Sequence, residues 1–141
     1  MIVEATDQTH LGRGMMAIGA RLARAVNRIS ERTGPVLSDR YHVRRLATPR
    51  EVRNALRCVL LNAHHHMGKG ARTALRTIDR LLDPASSARW FDGWKLASTA
   101  APNTLVRLAG AHPRPVARAR TWLLTVGWRR HGLLDPGDAP G

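Results

Sequence analysis

Apolar residues in the first third of the chain recur at helical spacing. Leu11, Met15, Ile18, Leu22, Val26 and Ile29 are separated by three and four positions, so they share one face of a helix. Arg13, Arg21, Arg24 and Arg28 fall mostly elsewhere, Thr6, Asp7 or Thr9 can cap the start, and Gly34-Pro35 ends the element in a turn. A second helix is announced by Thr48-Pro49-Arg50-Glu51: threonine caps, proline suits the first turn, and the glutamate can bond back in a capping box. Its apolar positions are Val52, Ala55, Leu56, Val59, Leu60 and Ala63, with a core face centred on Val52, Val59 and Ala63. A third helix opens at Lys69 or Gly70, carries Leu75, Ile78 and Leu82, and is stopped by Asp83-Pro84.

Between the first two helices, residues 36–46 read as extended. Tyr41, Val43 and Arg45 alternate with Arg40, His42 and Arg44, although few of these positions are apolar. Residues 1–5 are short and partly β-branched, a strand or the end of one. Beyond position 85 the chain changes character, with small residues, prolines and the cluster Trp90-Phe91-Asp92-Gly93-Trp94. Residues 96–101 read as a linker. A last helix is expected over 117–132 with Trp122, Leu123 and Val126 inward, followed by a disordered Pro/Gly-rich tail at 135–141.

Charge changes this picture more than composition does. The 141 residues carry a formal net charge of +13 and a pI near 11.8. Lysine appears only at Lys69 and Lys95, so the positive charge is almost all arginine. Arginine forks onto phosphate oxygens and stacks on bases, and an excess of this size on a small chain favours a polyanionic partner, usually nucleic acid. The single cysteine excludes an intramolecular disulfide. No apolar run approaches the ~18 residues of a membrane span, and the N-terminus lacks the pattern of a secretory signal. The expectation is a cytoplasmic protein with no membrane partner.

Few residues suggest catalysis. On the second helix Asn54, Cys58, Asn62 and His65 form a stripe away from the core centre, where a nucleophile would face a phosphate; a small side chain at the flank of the core has the same pattern. His64-His65-His66 follows a helix, and residues two apart on a helix point about 200° apart and cannot share a metal; histidines near a helix C-terminus also interact well with its dipole. Tyr41 is the only tyrosine, read as a packing residue or a base-stacking platform. No glycine-rich phosphate loop, serine–histidine–acid set or paired catalytic carboxylates emerges from the spacing.

The run DRYHVRRLATPREVRNALRCVLLNA, residues 39–63, resembles the last strand and nucleophile-bearing helix of the single-tyrosine HUH transposases, in particular the REP-associated branch. Met1-Ile2-Val3-Glu4-Ala5 is similar to the continuation of that family's metal-binding strand, and Trp90-Phe91-Asp92-Gly93-Trp94, Thr121-Trp122-Leu123-Leu124 and Gly127-Trp128-Arg129-Arg130-His131-Gly132 are similar to the C-terminal extension of a bacterial subgroup. The resemblance implies an α+β, ferredoxin-like fold, here a remnant that is mostly helical with an Arg/Trp-rich extension. It divides the chain into the C-terminal half of a transposase-like domain at 1–66, a helical extension at 67–134 and the tail at 135–141.

The family cleaves single-stranded DNA by metal-assisted transesterification through a tyrosine followed four residues later by asparagine. Cys58 and Asn62 stand at those positions, and the histidine pair that would hold the divalent cation falls before Met1. A thiolate is soft, and its sulfur lies closer to the backbone than a phenolic oxygen, so neither reach nor chemistry suits the family's covalent step. The resemblance therefore implies a truncated, degenerate transposase homologue with no catalytic or metal-ligating residue and no cofactor. It would bind single-stranded or hairpin DNA through Arg40, His42, Arg44, Arg45, Arg50 and Asn62. Whether the chain is an enzyme stays open: the alternatives are a non-enzymatic arginine-rich regulator and an active transposase with a misassigned start. Loss of neighbouring strands would leave open sheet edges, so self-association or a homo-oligomer is expected.

Overall fold

Both of the strongest helix signals become helices in the computed structural model, which describes residues 1–37, 41–62, 82–83, 85–95 and 114–137. The described chain is mostly helical; no strand occurs among the described residues, and the single β-type pairing there is an isolated parallel bridge between Trp94 and Leu134. The expected third helix and the linker at 96–101 lie outside the described residues, apart from Leu82. The chain divides into two compact units, Val3–Arg45 and Leu46–Gly141, the latter with Met1–Ile2.

The first unit is built on α1, Gln8–Ile29. Asp7 caps it, its carboxylate accepting the His10 backbone N–H at 2.8 Å and lying 2.7 Å from His10 Nδ1. These contacts, the backbone one foremost, hold the Asp7 carboxyl below the usual aspartate range. The helix stops five residues before Gly34. Glu31 turns into the left-handed region at φ 49°, and the Arg32 N–H reaches back to the Asn27 carbonyl at 2.9 Å, the six-to-one bond of a Schellman end. Gly34, at φ 102°, carries the turn that follows, and the Asn27 side-chain amide donates to its carbonyl at 2.9 Å.

No residue of α1 is buried. Along the apolar ridge Leu11, Met15 and Val26 are half-buried, while Ile18, Leu22 and Ile29 are exposed, Ile29 by 79 %. The returning chain packs on a different side of the helix. A Cβ at Gly12 would lie 3.7 Å from the Tyr41 hydroxyl, and one at Gly19 would lie 3.4 Å from Leu37 Cδ1. At about 100° per residue those glycines sit roughly a quarter-turn from the Leu11–Leu22–Ile29 ridge. The glycine side lets the chain approach closely, and the bulkier ridge does not. The described parts of the expected strand, 36–37 and 41–46, form no strand pairing, as do residues 1–5; an extended segment needs a neighbouring strand to become part of a sheet, and none is present among the described residues.

The second unit opens with α2, Pro49–Leu60. The capping box forms as the sequence predicts: Thr48 Oγ1 accepts from the Glu51 N–H at 3.2 Å, and Glu51 Oε2 accepts from the Thr48 N–H at 3.0 Å. The buried face is rotated from its expected position. Val52 and Leu60 are buried, and Leu56 packs beside them, while Val59 is half-buried and Ala63 lies outside the described residues. The packed side thus centres roughly 40° from the one expected, by the angular step of a helix. Arg53 accounts for the rotation. Its Nε donates to the Gly132 carbonyl at 3.0 Å and its Nη2 to the Leu133 carbonyl at 3.2 Å, which turns that side of α2 onto the C-terminal segment.

The core of this unit joins Val52, Leu60, Leu61, Leu82, Ala88, Trp94, Trp128 and Leu134. Each buried indole is satisfied: Trp94 Nε1 donates to the Ala88 carbonyl at 2.9 Å in the 3-10 turn Ser87–Trp90, and Trp128 Nε1 donates to the Leu124 carbonyl at 3.1 Å. Phe91 lies 5.2 Å from Trp94 and 5.4 Å from Trp128 by ring centroids. Gly93 is obligatory between them, because a Cβ there would come within 2.5 Å of the Phe91 ring and closer still to Trp128. The Gly93 carbonyl accepts from the Leu134 N–H at 3.0 Å, and the Leu134 carbonyl accepts from the Lys95 N–H at 2.6 Å, which ties the cluster to the C-terminal segment.

The last helix is shorter than the pattern suggests. It reduces to α3, Trp122–Thr125, followed by the 3-10 turn Gly127–His131. Leu123, Leu124 and Trp128 face the core, while Trp122 and Val126 are 48 % and 53 % exposed. Gly127 causes the change: a Cβ there would come within 2.7 Å of the Trp122 ring, so the chain folds down under Trp122 and tightens. Within the tail, Asp135–Gly137 form a turn in which Gly137 N–H donates to Asp135 Oδ1 at 2.9 Å.

Candidate nucleic-acid interface

The residues assigned to nucleic acid from the sequence divide between the two units. His42, Arg44 and Arg45 belong to the first and are exposed; Arg50, in the first turn of α2, and Asn62, just beyond its end, belong to the second and are exposed. Arg40 lies outside the described residues. In the first unit the exposed cations extend along α1. Arg13, Arg21, Arg24 and Arg28 are all exposed, on the side away from the apolar ridge, and residues 8–29 contain no carboxylate. An acid-free basic face of this kind concentrates positive potential on one side of a helix.

The stripe on α2 is exposed as expected. Asn54, Cys58 and Asn62 face solvent, Cys58 forms no disulfide, and His65 lies outside the described residues. Cys58 is therefore not a core-flanking residue, and the exposed stripe lies opposite the side of α2 that bonds the C-terminal segment. Tyr41 rests against α1 at Gly12 and is 45 % exposed. Its hydroxyl is thus on the glycine side of α1 while part of its surface remains open.

The second unit holds a constellation of which the sequence singled out only Trp122 as an inward residue. Three of its arginines stack on indoles: Arg89 over Trp90 at 5.5 Å, Arg129 over Trp128 at 4.8 Å and Arg130 over Trp122 at 4.9 Å. They are not equivalent. Arg129 also pairs with Asp92 at 2.9 Å and donates from Nε to the Thr125 carbonyl at 3.2 Å, so it serves the core. Arg130 and Trp122 are both exposed. In one continuous helix residues eight apart lie about 12 Å apart along the axis, so the pair forms only because the chain turns after α3.

Among the described residues no group of three or more histidines, cysteines, aspartates or glutamates is placed to hold a metal ion. No helix there is long and apolar enough to cross a membrane. In comparisons with known proteins, no family model, no curated protein and no solved structure matches this chain.

Proposed function

We propose that this chain is a transposase-like DNA-binding protein that engages single-stranded or hairpin DNA through arginine contacts to phosphate and does not itself cut the strand. The observation that carries the reading is the exposed basic run of the first unit, Arg44 and Arg45 together with the acid-free arginine side of α1, in a chain of net charge +13. Phosphate contacts of this kind fix position on a strand and carry little sequence information. The exposed Cys58 on α2 supports the absence of strand cleavage, because it occupies the position where the resemblance would place a tyrosine. A cytoplasmic location and self-association belong to the same proposal, and a regulator that binds nucleic acid without any transposase ancestry shares its binding chemistry.

Two measurements test it. Retention of a labelled single-stranded hairpin falls steeply between low and moderate salt, since each phosphate contact releases counterions, and Arg44→Ala with Arg45→Ala weakens binding to all sequences alike. A salt-independent curve, or no retention at low salt, refutes the binding. Incubation of the hairpin with magnesium or manganese yields no denaturation-resistant protein–DNA adduct. An adduct that forms and then vanishes on Tyr41→Phe would make Tyr41 a nucleophile and the chain an enzyme.

A further inference from the structure

Trp122 is the most exposed feature of an otherwise well-packed aromatic cluster. Trp94 and Trp128 are buried, and their indole N–H groups are bonded to carbonyls. Trp122 keeps 48 % of its surface open. It is nevertheless held in place: the Gly127 backbone sits so close beneath the six-membered ring that a Cβ would come within 2.7 Å, and the Arg130 guanidinium lies 4.9 Å from the ring centroid. An exposed indole costs hydrophobic stabilisation, and here the chain fixes the ring without covering it.

The surroundings are strongly cationic. Residues 114–131 carry five arginines and no carboxylate. Arg114 and Arg118 lie on the exposed, non-helical approach to Trp122. Arg129 is turned inward and neutralised by Asp92, which leaves Arg130 as the cation that shares the exposed ring. A flat aromatic surface paired with a planar guanidinium and flanked by arginines matches a single-stranded nucleic acid, in which an unpaired base offers a π-face and the adjoining phosphates offer negative charge. An acidic peptide would satisfy the arginines but has no use for the exposed ring.

We propose that Trp122 and Arg130 form a stacking site for an unpaired base of single-stranded nucleic acid, with the arginines of residues 114–120 tracking the adjoining phosphates. The site belongs to the second unit and uses none of the residues of the Arg44–Arg45 run; it rests on the nucleic-acid reading above only in taking the same class of ligand. It distinguishes bases from phosphates, which the basic run does not.

The test compares the full chain's affinity for a dye-labelled oligothymidylate with that for an abasic strand of equal length. The wild-type chain binds the oligothymidylate more tightly. Trp122→Ala lowers that affinity by roughly 5- to 150-fold, the range for loss of one stacked base, and leaves both the abasic affinity and the salt slope unchanged. Trp122→Phe keeps a ring on Gly127 and retains part of the preference. Ultraviolet cross-linking of a 5-iodouracil strand to the unaltered chain, read by peptide mass spectrometry, places the adduct at Trp122 and does not depend on any variant folding. Equal binding of the two strands by the wild type, or cross-links that avoid Trp122, overturns the stacking site while leaving the phosphate-binding reading intact. If neither strand is retained at low salt, both fall. Preferential binding of polyglutamate over either strand also overturns the stacking site, in favour of an acidic protein partner.

Discussion

The two units use the same kinds of residue to opposite ends. In Val3–Arg45 a 22-residue helix with an apolar ridge has no fully buried residue, and the arginines along it are exposed. In Leu46–Gly141 a 12-residue helix packs into the core that contains Trp94, Trp128 and Leu134, and Arg53, Arg89, Arg129 and Arg130 of that unit lie on carbonyls or indole rings. Regular spacing determines that a helix can form. Burial depends on what the rest of the chain brings to it. The second unit has indoles, a glycine that admits them and a cation that bonds the facing backbone, whereas the first offers α1 only a short return that prefers its glycine side. Most helical stability comes from packing, so the longer helix is the less secured.

The largest expected effect breaks that contrast directly. Trp128 is 1 % exposed, and Trp128→Ala lowers the stability of the second unit by about 3–5 kcal/mol, as for other buried aromatic truncations. Leu22→Ser, at the 49 % exposed ridge of α1, changes stability by less than about 0.5 kcal/mol. Chemical denaturation followed by tryptophan fluorescence and by helical circular dichroism checks both. A cost at Leu22 equal to that at Trp128 would mean that the ridge is covered in solution, by another part of the chain or by a second copy.

A smaller loss is expected from Arg53→Met, which keeps the aliphatic stem and removes the two donors to the Gly132 and Leu133 carbonyls. With the site partly open to water, the cost is about 1.5 kcal/mol, measured as a shift of the same transition with its slope unchanged. Amide exchange at Leu133 and Leu134 should quicken in parallel. Unaltered exchange would assign the rotation of α2 to the apolar contacts alone.

The smallest effect is confined to the start of α1. The Asp7 carboxyl lies below its ordinary value of 3.8 because the His10 N–H, and then the His10 ring, stabilise the ionised form. A lowered folded-state pKa gives stabilisation that is full above the unfolded value and is lost as pH falls through the folded one. Helicity therefore declines below pH 3.8 as the cap protonates. Asp7→Asn caps without titrating and removes that component; an acid transition identical in the variant would show that Asp7 does not govern the helix end.

Much of this was readable from single positions. Thr48, Pro49 and Glu51 specify the start of α2 because a capping box is satisfied within four residues and needs nothing distant. For the start of α1 the sequence offers Thr6, Asp7 and Thr9 alike, and the structure selects Asp7. The net charge and the exposed Arg44, Arg45 and Arg50 were equally visible, since long charged side chains remain in water wherever the chain goes.

What the tertiary structure decided was which apolar residues are covered. Residues 117–132 suggest one helix with Trp122 inward, yet Gly127 brings the chain beneath that ring and leaves Trp122 outside with Arg130. The face of α2 was turned by Arg53 meeting carbonyls 79 and 80 positions away. Local hydrogen bonds and charge are properties of neighbouring residues and are written in the sequence. Burial is a property of pairs of surfaces, and it depends on where distant glycines allow the chain to close.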